Sequence, residues 1–210
     1  MVSITPCCKK NSSLRHVVYS LVLALMLGAS GLAVAETLTE ISQLRVERAE
    51  EELQVSAQVQ FDLPSAVEDA LLKGVAMYFA LEAEILRERW YWYDRKVTLA
   101  ERRLRLIYLP LTRRWRLNVT SGVGPESNVG LALNQNFDTL VQALAAVKRV
   151  SGWKIAEMGD IDSGGKYKLE LRFRLDLSQL PRPFQIGAMG KDDWDIATSM
   201  AIPLSSQTLR

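Results

Sequence analysis

The chain has 210 residues, of which 26 are Lys or Arg, 24 are Asp or Glu and one is His, giving a formal net charge of +2. This near balance of charge argues against the strongly basic surface that nucleic-acid binders need. The single His and both Cys lie within the first 16 residues, which limits the chemistry available to the rest of the chain.

Residues 1–35 have the three-part pattern of a secretory signal peptide. Basic residues begin the segment, an apolar run follows, and small side chains at Ala33 and Ala35 suit the pockets of a signal peptidase. We therefore expect cleavage after Ala35 and export of residues 36–210 to a bacterial periplasm. The alternative is an uncleaved inner-membrane anchor, because residues 17–35 carry no charge and are about long enough to span a bilayer.

Cleavage would leave a single domain, residues 36–210, without His or Cys. Such a domain has no thiolate nucleophile, no imidazole base, no disulfide and no His/Cys metal site. The leader carries three of the basic residues and none of the acidic ones, so the remainder has a net charge of −1. We expect a protein that binds without a cofactor and is not an enzyme; an enzyme using carboxylates is the alternative.

Two strands are predicted by strict alternation of apolar and polar residues. Leu53 to Phe61 are apolar at every odd position, and Tyr167 to Leu177 repeat the pattern with charged residues between. Each segment places one face on a core and the other in water, as in antiparallel sheets.

Two helices are predicted, at residues 65–74 and 136–152. The first begins with Ser65 and Glu68 in the spacing of a capping box and should stop at Gly74. The second ends at Ser151-Gly152 after Lys148 and Arg149, cations that suit a helix C-terminus. Its apolar stripe consists of Leu140, Val141, Leu144 and Val147.

The remaining segments favour strands and turns. Residues 75–120 are interpreted as a three-stranded meander, although 77–90 could instead continue the first helix. Residues 160–165 favour a hairpin turn over a calcium loop, because the closing carboxylate of an EF-hand is missing. Residues 180–183 are expected to be extended, with a last strand near 196–204. The predicted fold class is α+β: antiparallel sheets of about six to eight strands with two helices.

The most unusual segment is residues 87–116, which holds ten basic and three acidic residues for a net charge of +7 and has four consecutive aromatic residues at 90–93. The planar guanidinium groups of arginine bind carboxylate or phosphate through two parallel hydrogen bonds, and aromatic rings stack on sugars or lie at membrane interfaces. The candidate binding surface comprises Arg87, Arg89, Trp90, Trp92, Arg103, Arg105, Arg114 and Arg116. The alternative is a solvated sheet face stabilised by cross-strand ion pairs. Those pairs would join Glu82, Glu84 and Glu88 to Arg103 and Arg105.

Blocks spread over residues 36–210 resemble a proteobacterial family known as domain of unknown function 4390. The blocks that carry the resemblance are residues 68–74, 87–92, 109–113, 172–185 and 194–195. The resemblance implies no established activity and no catalytic residue. It also implies that genes of the family often lie beside a membrane sensor kinase.

These observations lead to one main functional hypothesis and, besides the carboxylate enzyme named above, one further alternative. The main hypothesis is a periplasmic interaction module whose partner is an envelope protein, such as a sensor kinase. The alternative is a module that binds an anionic envelope lipid or glycan through the basic and aromatic surface. No nucleic-acid partner is expected.

Overall fold

The computed structural model describes residues 39–91, 93–124, 131–162, 164–188 and 194–204, and the predicted signal peptide lies outside these ranges. Within them the fold is α+β, as predicted, with nine strands in two antiparallel sheets and three helices. A three-stranded sheet has the order β1-β2-β7, and a six-stranded sheet has the order β6-β5-β4-β3-β8-β9. The strands are β1 (Glu40–Ala49), β2 (Glu52–Gln60), β3 (Met77–Arg87), β4 (Arg95–Leu109), β5 (Arg114–Val123), β6 (Leu131–Phe137), β7 (Arg149–Glu157), β8 (Tyr167–Leu175) and β9 (Ala197–Leu204).

The six-stranded sheet contains the predicted meander, β3-β4-β5, and the strand assignment of residues 77–87 is confirmed. β3 lies between β4 and β8, so nearly all of its side chains are at least partly covered. β2 and β8 alternate between buried and more exposed side chains, which confirms both predicted strands. β9 agrees with the predicted last strand.

Helix α1 (Ser65–Leu72) confirms the first predicted helix and its stop. Gly74 has φ +82°, a left-handed conformation that glycine adopts without steric cost. Its N–H donates to the carbonyl of Leu71, and Val75 N–H donates to Ala70. The predicted capping box was wrong: Ser65 is already helical, and no side chain caps the N-terminus. The carbonyl of Pro64 accepts the N–H groups of Val67 and Glu68 instead.

Helix α2 (Leu140–Lys148) is shorter than the predicted 136–152. Thr139 caps it by accepting a hydrogen bond from Gln142 N–H. Asn136 lies in β6, whereas Arg149 and the Ser-Gly pair at 151–152 lie in β7, because the backbone there pairs with β2 instead of continuing the helix. The buried face also differs from the predicted stripe, since Val141 is exposed while Ala143 and Val147 are buried.

Two further expectations for the C-terminal third were wrong. Residues 182–183 are not extended; they begin helix α3 (Arg182–Ala188), where Pro183 is tolerated because N–H groups in a first turn have no helical partner. Residues 160–165 do not close a hairpin, because β7 pairs with β2 whereas β8 pairs with β3 and β9. This segment therefore connects the two sheets.

The core lies between the sheets and beneath α1 and α2. Phe61, Phe79 and Phe173 pack with ring centroids 5.3 to 5.7 Å apart. β7 lies against β4 and β5, β1 lies near β9, and α2 packs against β5 and β6. Because three strands cannot cover six, part of the inner face of β4, β5 and β6 borders an open cleft beside β7.

Candidate functional site

The residues of the predicted binding surface do not form one patch. Arg87 ends β3, and Arg89 and Trp90 lie in the following loop, whereas Trp92 lies outside the described residues. Arg87 pairs with Arg95 at the start of β4, so Arg103 lies eight residues further along that strand. At roughly 3.4 Å per residue this separates the loop from the sheet arginines by about 27 Å. The structure therefore divides the surface into an aromatic loop and a sheet face.

Exposed rings occupy the loop that joins β3 to β4. Trp90 is 93% exposed, Tyr93 is 88% exposed and Tyr91 is 68% exposed. The rings of Trp90 and Tyr91 contact each other edge to face, with centroids 4.8 Å apart. We call Trp90, Tyr91 and Tyr93 the aromatic tip. Rings this exposed contribute little to the folded core, so their apolar surface is available for contact with another molecule.

Polar contacts hold the base of the aromatic tip. Asp94 forms an ion pair with Lys168 at 2.6 Å and also accepts the backbone N–H of Arg89. The hydrogen bond from Lys168 lowers the pKa of Asp94 below its ordinary value. On the other side of the loop, Arg87 pairs with Asp162 at 3.0 Å, and Glu88 N–H donates to the carbonyl of Lys166. The loop is therefore tied to β8 and to the segment before it.

The predicted ion pairs between β3 glutamates and β4 arginines were wrong. Glu82 pairs with Arg174 of β8 at 2.8 Å, and Glu84 pairs with Lys96 at 2.6 Å. The cause is the register of the strands: Ala80 lies opposite Arg103, so Glu82 lies opposite Glu101. The third glutamate, at position 88, lies in the loop beyond β3.

The arginines predicted on the sheet face have partners within the sheet or directly beside it. Arg103 pairs with Glu101 at 3.0 Å, and Arg114 pairs with Asp138 at 3.3 Å. The other two make weaker contacts: the guanidinium of Arg105 lies 5.9 Å from the ring centroid of Tyr78, and Arg116 donates to Asn136. These contacts fit the alternative interpretation, a charged face that stabilises the sheet.

A cleft of about 1180 Å³ lies on the inner side of the six-stranded sheet, beside β7. Val97 of β4, Val119 and Val123 of β5, Leu133 of β6 and Trp153 of β7 supply its apolar wall. Its volume lies slightly above the roughly 300 to 1,000 Å³ of ordinary small-molecule pockets. The cleft is thus both large enough and apolar enough to hold an organic ligand.

Arg102 is a cation on the mainly apolar inner side of β4. Its Nε donates to Ser121 Oγ at 2.9 Å, and its guanidinium lies 5.0 Å from the ring centroid of Trp153. Burial lowers the pKa of Arg102 to about 10. Arg172 and Arg174 differ, because Arg172 donates a hydrogen bond to Glu170 and Arg174 donates one to Glu82, which raises the pKa of each arginine. Arg102 is desolvated without a carboxylate partner among the described residues.

Two buried polar atoms belong to other residues that line the cleft. Thr98 Oγ1 and Trp153 Nε1 have no hydrogen-bond partner among the described residues. Their residues are 7% and 2% exposed. An unpaired buried polar group costs about 1 to 3 kcal/mol, so this part of the core is not optimised for stability alone.

Sequence reasoning counted Arg102 among the basic residues of its segment but did not select it. A usable signal was present: Arg102 shares the even-numbered positions of β4 with Ala100, Leu104 and Leu106, which are buried. A cation in an apolar alternation is unusual and marks a position with a special role. Trp153 gives no such signal, because its contact with Arg102 depends on the pairing of β7 with β2.

The described residues contain no cluster of three or more His, Cys, Asp or Glu placed to hold a metal ion. In the same residues, no helix has the length and apolar character needed to cross a bilayer.

The chain has no significant match among curated proteins or solved structures. A family model described as domain of unknown function (DUF4390) matches residues 36–202. Since that match covers most of the 210 residues, the protein belongs to the DUF4390 family.

Proposed function

We propose that this protein is an exported, non-catalytic interaction module that docks onto an envelope protein through the aromatic tip. The observation that carries the proposal is the exposure of Trp90, Tyr91 and Tyr93 together on one loop. Trp, Tyr and Arg are the residues most enriched at the energetic centres of protein interfaces. Arg89 lies between the tip and β3 and completes this composition.

The energy available from the aromatic tip is enough for specific binding. At 25 cal/mol per Å², burying about 150 Å² of apolar surface contributes roughly 4 kcal/mol per ring to the gross free energy of binding. Ordering the partners offsets part of this gain. The contacts of Asp94 and Arg87 with neighbouring segments hold the loop in place, which reduces the ordering cost on this side of the interface.

The proposed location is the periplasm after cleavage of residues 1–35. The family match supports this because it begins at residue 36, the first residue after the predicted cleavage site. A membrane sensor kinase is the first partner to test, since the family resemblance implies that such kinases are encoded nearby. No cofactor is part of the proposal.

An anionic bilayer or glycan surface is the second candidate partner for the tip. Trp and Tyr are also enriched at the boundary between lipid and water, and basic residues are attracted to anionic headgroups. Arg89 and Arg95 flank the tip on either side. The partners of Arg103 and Arg114 within the sheet make the sheet face a weaker candidate than the tip.

Recovery of a partner from native membranes tests the proposal. Trp90→Ser, Tyr91→Ser and Tyr93→Ser combined should reduce the co-purified envelope protein by at least about tenfold, since each 1.4 kcal/mol lost weakens binding tenfold. The matched control is Arg103→Ala with Arg105→Ala, which changes the sheet face and should leave recovery unchanged.

Two results would contradict the proposed protein partner. One is equal recovery with the triple variant. The other is recovery of no envelope protein above background while the wild-type protein, but not the triple variant, sediments with phosphatidylglycerol vesicles. That second result would favour the bilayer candidate.

A further inference from the structure

Arg102 is placed where a cation is costly unless an anion joins it. Taking a charge out of water costs several kcal/mol, and a partner of opposite charge normally offsets this cost. Arg102 has a neutral hydroxyl and an aromatic ring beside it instead. Of the three described carboxylates that line the cleft, Glu101 pairs with Arg103 and Glu157 with Lys154, and the third, Asp160, forms no ion pair with Arg102.

The other cations at the cleft already have carboxylate partners. Lys96 pairs with Glu84 at 2.6 Å, and Lys154 pairs with Glu52 at 2.8 Å as well as with Glu157. Arg102 is therefore the cation of the cleft lining that has no carboxylate partner among the described residues. This is a separate feature from the aromatic tip, and its interpretation does not depend on how the tip functions.

We propose that the cleft binds an amphiphile whose anionic head group pairs with Arg102 and whose apolar chain lies along the wall formed by β4, β5 and β6.

The guanidinium of Arg102 is held in an orientation that can bind an oxyanion. Its Nε is already used by Ser121 Oγ at 2.9 Å, which fixes the rotation of the group, and the ring of Trp153 lies alongside it. The terminal nitrogens have no acceptor among the described residues. Two parallel N–H groups of an arginine fork match the two oxygens of a carboxylate or phosphate.

The apolar wall is the reason to expect a chain on the ligand. Val97, Val119 and Val123 line the cleft and are only partly buried, and Leu133 is 51% exposed. A small anion at Arg102 would leave this surface in water and most of the 1180 Å³ unused. Each methylene group buried against the wall contributes about 0.8 kcal/mol, so affinity should increase with chain length.

Titration of the purified protein with matched probes tests both halves of the proposal. The probes are dodecanoate, dodecyl phosphate, dodecanol, acetate and inorganic phosphate, each kept below its aggregation concentration. The NMR signal of the indole N–H of Trp153, identified by its loss in Trp153→Phe, reports on the cleft. Dodecanoate or dodecyl phosphate should shift this signal and bind at least about tenfold more tightly than dodecanol, acetate or inorganic phosphate.

Comparison of the two chain-bearing anions identifies the head group, as the tighter binder shows whether a carboxylate or a phosphate is preferred. Arg102→Gln should weaken binding of that anion at least about tenfold, whereas Arg105→Gln on the opposite face should leave it unchanged. A thermal unfolding curve confirms that each variant is folded.

Three results would overturn the proposal. The first would be a Trp153 signal that does not shift with either chain-bearing anion. The second would be a folded Arg102→Gln protein that binds the anion as tightly as wild type. The third is equal affinity for acetate and dodecanoate, which would remove the role of the apolar wall.

Discussion

At the scale of single residues, Arg102 combines partial burial with the lack of a carboxylate partner among the described residues. Replacing a buried charge by an apolar side chain of similar length is often neutral or stabilising. Residues that serve a ligand frequently lower the stability of the unliganded fold. Arg102 therefore has the properties of a residue retained for binding, whereas Arg172 and Arg174 have those of sheet-stabilising cations.

Arg102→Met should raise the free energy of unfolding of the unliganded protein by about 1 kcal/mol, because it removes a desolvated charge and keeps the packing on Trp153. Denaturant unfolding measures the change. Arg172→Met is the control; it breaks an exposed pair with Glu170 and should lower stability by less than about 1 kcal/mol. A loss of more than about 1 kcal/mol in Arg102→Met would show that this guanidinium stabilises the fold by itself.

Asp94 should make the stability of the protein depend on pH at the base of the tip. Its pKa is lowered in the folded state by Lys168, so its contribution is present above the ordinary value of 3.8 and is lost as pH falls through the folded pKa. Wild type should melt at a higher temperature than Asp94→Asn at pH 7, and the difference should shrink as the pH falls below 3.8. A difference that persists unchanged in acid would contradict this assignment.

At the scale of the elements, the strands are stabilised by inward rings and aliphatic side chains. Phe173 of β8 is buried against Phe79 of β3 and against Phe61, the residue that directly follows β2. It therefore links strands from both sheets.

Phe173→Ala should lower the free energy of unfolding by about 3 to 5 kcal/mol, the usual cost of a large cavity in a core. Denaturant unfolding again measures it, with Thr198→Ala in β9, opposite Phe173, as a mild control. A cost below about 1 kcal/mol for Phe173→Ala would mean that the two sheets do not depend on this contact.

Alternation predicted β2 and β8 but gave no signal for β6. β2 and β8 keep one buried face along their whole length, so their period is visible in the sequence. β6 contains Asn134, Gln135 and Asn136 in succession, and it is an edge strand that needs little burial. The ends of the helices were predicted less well: Pro64 rather than Ser65 is the N-cap of α1, and the pairing of Arg149 with β2 ends α2. Such outcomes depend on tertiary contacts that local propensity does not contain.

At the scale of the whole molecule, the unequal width of the sheets and the length of the β3–β4 hairpin determine where the two candidate sites lie. The narrower sheet leaves the cleft beside β7, and the length of the β3–β4 hairpin separates the aromatic tip from Arg103. The sequence predicted that basic and aromatic residues matter in this segment. It did not predict their separation, because a linear stretch does not show how far a hairpin carries its two ends apart.

Site-specific photocrosslinking in living cells is the most direct measurement of docking by the tip. Trp90 would be replaced by benzoylphenylalanine, and the same photoreactive residue at Arg116, on the sheet face, serves as the comparison. Docking through the tip predicts a discrete adduct with an envelope protein from position 90 and none from position 116. An adduct from position 116 alone, or from neither position, would contradict docking through the tip.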